Sequence, residues 1–273
     1  MKRRTYFALV LCAVLLPAAA QSAVAQGTRL RLATTTSTQD SGLLPILNPP
    51  FEKLTGITVD VIAVGTGKAL KLGENGDVDV VLVHDRKAED AFVAQGFGVN
   101  RRDVMHNDFV VVGPPEDPAG AARSTSTADA FSRIAAAGAP FVSRGDASGT
   151  NAKELQLWAA VPLKPKGAWY KEAGQGMGEV LVMANNLKAY TLTDRGTWIA
   201  MKDKLGGLRI LVENDPALFN AYGVIAVNPQ RHPEANYMAA MQYIAWVTSV
   251  QGQKVICEYT MGGQQLFTPD AVK

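Results

Sequence analysis

Three stretches carry side chains suited to holding an anion. In Ser143-Arg144-Gly145-Asp146-Ala147-Ser148-Gly149-Thr150, hydroxyls and glycines surround a single arginine. Thr34-Thr35-Thr36-Ser37-Thr38 is a run of five hydroxyls, extended by Gln39-Asp40-Ser41-Gly42. Gly65-Thr66-Gly67-Lys68 is a shorter glycine-rich turn. Hydroxyls and backbone N–H groups are neutral donors, and a guanidinium can fork onto two oxygens. Such a set suits a fully ionised oxyanion held away from water, where donors and one cation offset its desolvation. The alternative for the octet is an ordinary helix cap at Ser148 or Thr150 beside a solvated Arg144–Asp146 pair.

The chemistry requires that these stretches sit at strand-to-helix junctions, where the free N–H groups of a first turn point at one place. The flanking patterns supply that. Ala139–Val142 is a short apolar run, and Asn151–Trp158 repeats apolar residues at helical spacing. Arg29–Ala33 alternates as a strand and Leu43–Leu47 begins a helical pattern, so the hydroxyl run reads as the turn between them. One cap needs one hydroxyl, and five exceed that job. Ile57–Val64 is a strand ending at the Gly65 turn. Gly67-Lys68 is not a P-loop, because that motif needs Gly at position 62 and Ser or Thr at 69, where Ile62 and Ala69 stand. Asp77–Val83 is a third strand, running into His84-Asp85 and a helix over 86–95.

Further predicted strands are Phe109–Val112, Ala189–Thr193, Leu208–Val212 and Tyr222–Val227. Further helices are Thr127–Ala137, Gly174–Leu187, one opened by Asp194–Trp198, and Asn236–Val250. The helix containing Phe51–Leu54 is expected to break at Pro49-Pro50. Alternating strands and helices argue for a parallel or mixed α/β sheet, whose ligands sit at strand C-terminal ends. Gly113–Pro118 and Asn228-Pro229 are boundary signals. They place two domains at 26–112 with 223–273, and at 113–222. Arg195 is a second candidate cation, but the neighbouring Asp194 makes a local ion pair the ordinary expectation. Asp77 and Asp79 read as a solvated pair, and the last long helix is amphipathic with Met238, Met241, Ile244, Ala245 and Val247, its methionines reading as core.

Residues 1–25 read as a secretory signal peptide. Lys2-Arg3-Arg4 is basic, Tyr6–Ala20 is apolar, and Ala23-Val24-Ala25 is a cleavage site, with cleavage expected after Ala25. Removing the leader takes three basic residues and no acidic ones, leaving 24 basic against 25 acidic. That near-neutral chain argues against a nucleic-acid partner. Cys12 leaves with the leader, so Cys257 stands alone, excluding a disulfide framework; it reads as core. The three histidines lack metal-ligand spacing, and Gly-x-Ser-x-Gly and Cys-x-x-Cys are absent. No catalytic set or metal site is expected.

Thr34-Thr35-Thr36-Ser37 with Asp40-Ser41-Gly42-Leu43-Leu44, Val64-Gly65-Thr66-Gly67-Lys68-Ala69-Leu70, and the octet Ser143–Thr150 together resemble the tungstate-binding proteins of ABC importers. The likeness covers nearly the whole chain after the leader, in the family's order. It implies a periplasmic-binding-protein type II fold: two α/β lobes joined by two crossover segments and closing on a tetrahedral oxyanion. It implies a periplasmic, monomeric, non-enzymatic protein with no cofactor, capturing tungstate or molybdate for an ABC permease in the inner membrane. The implied ligand contacts are Thr35, Thr36, Ser37, Thr66, Arg144, Ser148, Gly149 and Thr150. Asp146 would orient Arg144, since a carboxylate facing a dianion repels it. Phosphate or sulfate is the rival ligand; phosphate retains a proton that Asp146 could accept. A secreted phosphoesterase using Ser148 or Thr66 as nucleophile is the rival from another class.

Overall fold

The computed structural model describes residues 28–272. The expected leader therefore lies outside the described residues. The chain opens with β1 (Arg29–Thr35), α1 (Thr36–Asp40), α2 (Leu44–Thr55), β2 (Thr58–Val64), α3 (Thr66–Asn75), β3 (Val80–Val83), α4 (Arg86–Ala94) and β4 (Gly98–Gly113). It continues with α5 (Thr127–Ala137), β5 (Phe141–Ser143), α6 (Gly149–Ala159), β6 (Tyr170–Glu172), α7 (Met177–Leu187), β7 (Thr191–Asp194), α8 (Arg195–Met201) and β8 (Arg209–Val212). It ends with β9 (Phe219–Val227), α9 (Tyr237–Val247), α10 (Val250–Glu258), β10 (Thr260–Met261), β11 (Gln264–Gln265) and β12 (Thr268–Pro269).

The main sheet runs β12-β4-β9-β3-β1-β2. Its β1 is parallel to β2 and β3, while β9 lies antiparallel between β3 and β4. Strand β3 shows why the sequence here is apolar without alternation. Val80 and Leu82 join one buried cluster and Val81 and Val83 another, so both faces are covered. A second group of strands forms around the far end of β4, whose residues Phe109–Gly113 pair with β7 and β8. Strand β5 pairs in parallel with β6 and is bridged to the β7 side through Phe141 and Tyr190. The second group has its own aromatic core of Phe131, Phe141, Trp158 and Tyr190. Thus β4 belongs to both groups. The expected passages at 112/113 and 222/223 fall at the end of β4 and inside β9.

Several expectations are corrected. The hydroxyl run is more than the expected turn: Thr34 and Thr35 complete β1, and Thr36–Asp40 form the single helical turn α1. Helix α2 passes through Pro49 and Pro50 without ending. Burial of Leu44, Leu47 and Phe51 on one face holds it, and Tyr243 and Trp246 of α9 donate to Asn48 Oδ1 and the Leu47 carbonyl. Strand β4 starts eleven residues before the expected Phe109, because two register shifts against β9 break its alternation. Asp79 is buried, accepting from the Arg31 backbone and guanidinium and from the Asn236 N–H. Met238 is 68% exposed and Ala245 is exposed, while Met241 packs partly buried; the core face of α9 is Ala239, Ala240, Tyr243, Ile244 and Val247. Cys257 is exposed, since α10 turns Gly252, Gln253 and Ile256 inward instead.

Candidate functional site

The β1–α1 junction uses its hydroxyls unequally. Thr34 Oγ1 donates to the Leu82 carbonyl and so ties β1 to β3. Thr35 caps α1, its Oγ1 accepting from Thr38 N at 3.2 Å. That oxygen also lies 2.6 Å from Thr38 Oγ1 and 3.1 Å from Ser37 Oγ. Ser37 is buried and reaches His84 Nε2 at 3.3 Å, while Thr36 is half-buried at the head of α1. The β2–α3 junction is capped by Gly65 with no side-chain hydrogen bond, and Thr66 is buried at its first position.

The octet forms the β5–α6 junction. Ser148 is the cap, its Oγ accepting from Asn151 N at 3.1 Å. Asp146 accepts from Arg144 Nη2 at 2.7 Å through one oxygen and from Ser148 N at 3.2 Å through the other. Gly145 turns the chain at φ +60°, and a Cβ there would stand 2.6 Å from Glu172 Cβ. Arg144 is only 4% exposed. Its charge is felt by Asp40 on α1, His84 after β3 and Asp194 at the end of β7.

These junctions meet. Gly67 N donates to the Ala147 carbonyl at 3.1 Å, joining the head of α3 to the octet. At Gly149 a Cβ would stand 3.0 Å from Thr66 Oγ1 and 2.9 Å from His84 Cε1, so only glycine permits this approach. Four buried polar atoms have no hydrogen-bond partner among the described residues around this point or beside it: Thr66 Oγ1, Thr150 Oγ1, Arg144 Nε and Asn107 Nδ2. Buried polar groups in folded proteins are otherwise paired, so a cluster of unused donors fits an acceptor-rich ligand. The acids nearby are pushed toward their neutral forms. Burial raises the Asp194 carboxyl, and burial with the nearby Glu179 raises that of Asp40. Behind Arg144, burial pushes Glu154 up to about 7 while Trp158 Nε1 and Tyr170 OH donate to it.

All eight expected ligand residues thus lie at three adjoining junctions, with Thr36 the least enclosed. Sequence reasoning did not pick out His84, Asn107, Asn220 or Asp194 as site residues. Burial lowers His84 to about 4, so it is neutral. Its place just after an apolar strand was a usable signal; Asn107 and Asn220, inside crossing strands, gave none. Asp194 caps α8 through Thr197 N and Oγ1. It does not pair with Arg195, contrary to expectation. Arg195 instead binds Asp108 at 2.6 and 2.7 Å and Glu213 at 2.7 Å, because β4 and β8 bring those acids beside α8. Among the described residues, no group of three or more His, Cys, Asp or Glu could hold a metal ion.

Comparison with known proteins agrees with this architecture. A family model of the PBP superfamily domain matches residues 18–251. The tungstate-binding protein TupA of Peptoclostridium acidaminophilum is 50% identical over 89% of this chain and 86% of its own. The crystal structure of the tungstate ABC transporter from Geobacter sulfurreducens is 59% identical, covering 85% of this chain and 98% of that one, with a TM-score of 0.78. TupA from Desulfovibrio alaskensis G20 is 47% identical over 90% of this chain and 100% of that one, with a TM-score of 0.79. Strand-end donors, a buried arginine and this likeness lead to one conclusion: the chain belongs to the PBP superfamily and, within it, to the family of the TupA tungstate-binding proteins.

Proposed function

We propose that the chain captures tungstate or molybdate outside the cytoplasmic membrane and delivers it to an ABC permease in the inner membrane. It would act as a periplasmic, monomeric binding protein rather than an enzyme. The observation that carries this is the set of buried donors, Thr66 Oγ1, Thr150 Oγ1 and Arg144 Nε, that find no acceptor among the described residues. Thr35, Thr36, Ser37, Thr66, Arg144, Ser148, Gly149 and Thr150 would line the oxyanion through hydroxyls, backbone N–H groups and the guanidinium. Asp146 would hold Arg144, both of its oxygens being engaged by Arg144 and Ser148 N. The two lobes would be 26–112 with 223–273, and 113–222, moving about β4 and β9 as ligand enters and leaves.

Titration calorimetry over tungstate, molybdate, sulfate and phosphate tests this. Tungstate and molybdate should bind at least about 1000-fold tighter than the smaller anions, and ligand at about 1000 Kd should raise stability by roughly 4 kcal/mol. Tighter binding of phosphate than tungstate would overturn the assignment and favour Asp146 as a proton acceptor.

A further inference from the structure

Four buried side chains form one hydrogen-bonded chain from α1 to β4. Ser37 Oγ lies 3.3 Å from His84 Nε2, and His84 Nδ1 lies 2.9 Å from Asn220 Oδ1. Asn220 Nδ2 then donates to Asn107 Oδ1 at 2.6 Å. The ring stacks on Tyr222 with centroids 4.8 Å apart, and its Cε1 edge faces Gly149. In this polarity Nδ1 carries the hydrogen and Nε2 accepts. Ser37 must then spend its hydroxyl hydrogen on the imidazole, which leaves only lone pairs for the cavity. At the other end, Asn107 Nδ2 has no partner among the described residues.

The same heavy-atom positions also admit the opposite polarity once both amides are turned over. Asn107 Nδ2 donates to Asn220 Oδ1, Asn220 Nδ2 donates to His84 Nδ1, and His84 Nε2–H donates to Ser37 Oγ. The Ser37 hydrogen is then released from the imidazole and can turn to the cavity, with Thr35 Oγ1 at 3.1 Å as its internal alternative. An oxyanion repels a hydroxyl that offers lone pairs and attracts one that offers hydrogen, so the two polarities differ in affinity. This rests on the oxyanion function proposed above.

We propose that His84 is a positioning residue whose tautomer sets the polarity of Ser37, with oxyanion binding moving the ring from Nδ1–H to Nε2–H and turning over the amides of Asn220 and Asn107. The proton leaving Nδ1 is given to solvent water and the one arriving at Nε2 is taken from solvent water while the site is open, so the ring stays neutral and binding takes up no net proton. Burial keeps the imidazole in the neutral form that such a relay requires.

Nitrogen-15 NMR of the histidines in the mature protein reads the tautomer directly. His106 and His232 serve as internal controls. Calorimetry on the same sample first establishes that tungstate is bound. The expected result is Nδ1–H without tungstate and Nε2–H at saturation, with the controls unchanged. In parallel, His84→Phe, which keeps a ring against Tyr222, should weaken tungstate about tenfold with Ser37 present and have no effect in Ser37→Ala. His84→Gln, whose amide can donate to Ser37, should recover part of the loss. Bound tungstate with an unchanged tautomer, or equal effects of His84→Phe in both backgrounds, overturns the relay while leaving the binding function standing. No tungstate binding by the wild-type protein removes both. Should His84→Phe fail to fold, the NMR result alone decides.

Discussion

Arg144 and Arg195 occupy matching places, each at a strand-to-helix junction with an aspartate close in sequence, yet the fold treats them oppositely. Arg144 is nearly fully buried, bonds one carboxylate through Nη2 and leaves Nε without a partner among the described residues. Arg195 is more open and is engaged by Asp108 and Glu213 through three short contacts. The acids near Arg144 other than Asp146 differ too: desolvation raises the carboxyls of Asp40, Asp194 and Glu154. A cation serves a ligand when its surroundings leave donors over. The presence of an arginine in a polar turn does not settle that.

The largest expected effect follows directly. Arg144→Ala should weaken tungstate by about 10³-fold, near 4 kcal/mol, because it removes the buried charge that offsets the anion's desolvation. The fold should survive, with circular dichroism and thermal unfolding checking it. Arg144→Lys should recover only part of the affinity, since an ammonium cannot fork onto two oxygens. Retained affinity in Arg144→Ala would erase the distinction between the two arginines.

Next is the acid behind Arg144. Glu154 has a folded pKa of about 7 against an ordinary 4.5. A raised folded value means its contribution to stability is complete below about pH 4.5 and is lost as pH rises through 7. Glu154→Gln cannot ionise, and its Oε1 can still accept from Trp158 and Tyr170. The variant should match the wild type near pH 4.5 and exceed it by up to roughly 3 kcal/mol above pH 7. Urea unfolding at several pH values measures this. A wild-type advantage at pH 8 would mean that Glu154 is charged and that the neutral surroundings of Arg144 are not real.

The sequence made half of the comparison legible. Hydroxyls and glycines between a strand pattern and a helix pattern announce N–H-rich junctions, so the three turns could be named in advance. Their separate duties could not. Thr34 and Thr35 look alike in sequence, but strand alternation points one hydroxyl at Leu82 O and the other at the head of α1. The partners of Arg195 were hidden because Asp108 arrives on β4, 87 positions away, and Glu213 comes back beside α8 only through the turn into β8. Asn107 and Asn220 are 113 positions apart and meet only through β4–β9 pairing, whose bulges erase the periodic signal.

A smaller effect separates donors that are free from donors that are used. Thr66→Val and Thr150→Val each remove a buried hydroxyl with no partner among the described residues. Each should cost about tenfold in tungstate affinity while leaving stability unchanged or slightly higher, because an unsatisfied polar atom is lost from the interior. Thr34→Val should do the reverse, lowering stability by about 1 kcal/mol through the lost bond to Leu82 O with affinity intact. Calorimetry and urea unfolding on the three variants distinguish the patterns, and a stability loss at Thr66 equal to that at Thr34 would count against a ligand-directed hydroxyl.

The smallest expected effect on binding completes the contrast. Arg195→Gln removes a cation from a cleft of about 540 Å³ that is lined by Asp108, Glu213 and Phe219. Its guanidinium is already matched by two carboxylates, so tungstate affinity should stay within about twofold. Stability should fall by roughly 1 kcal/mol, since the pair is partly exposed and screened. The salt dependence should differ as well: the stability loss should shrink in high salt, where partly exposed pairs are screened, whereas the affinity loss of Arg144→Ala should persist because its charge is buried. If Arg195→Gln instead weakened tungstate as strongly as Arg144→Ala, both guanidinia would be serving the anion, and availability could not be read from the partners a side chain already holds.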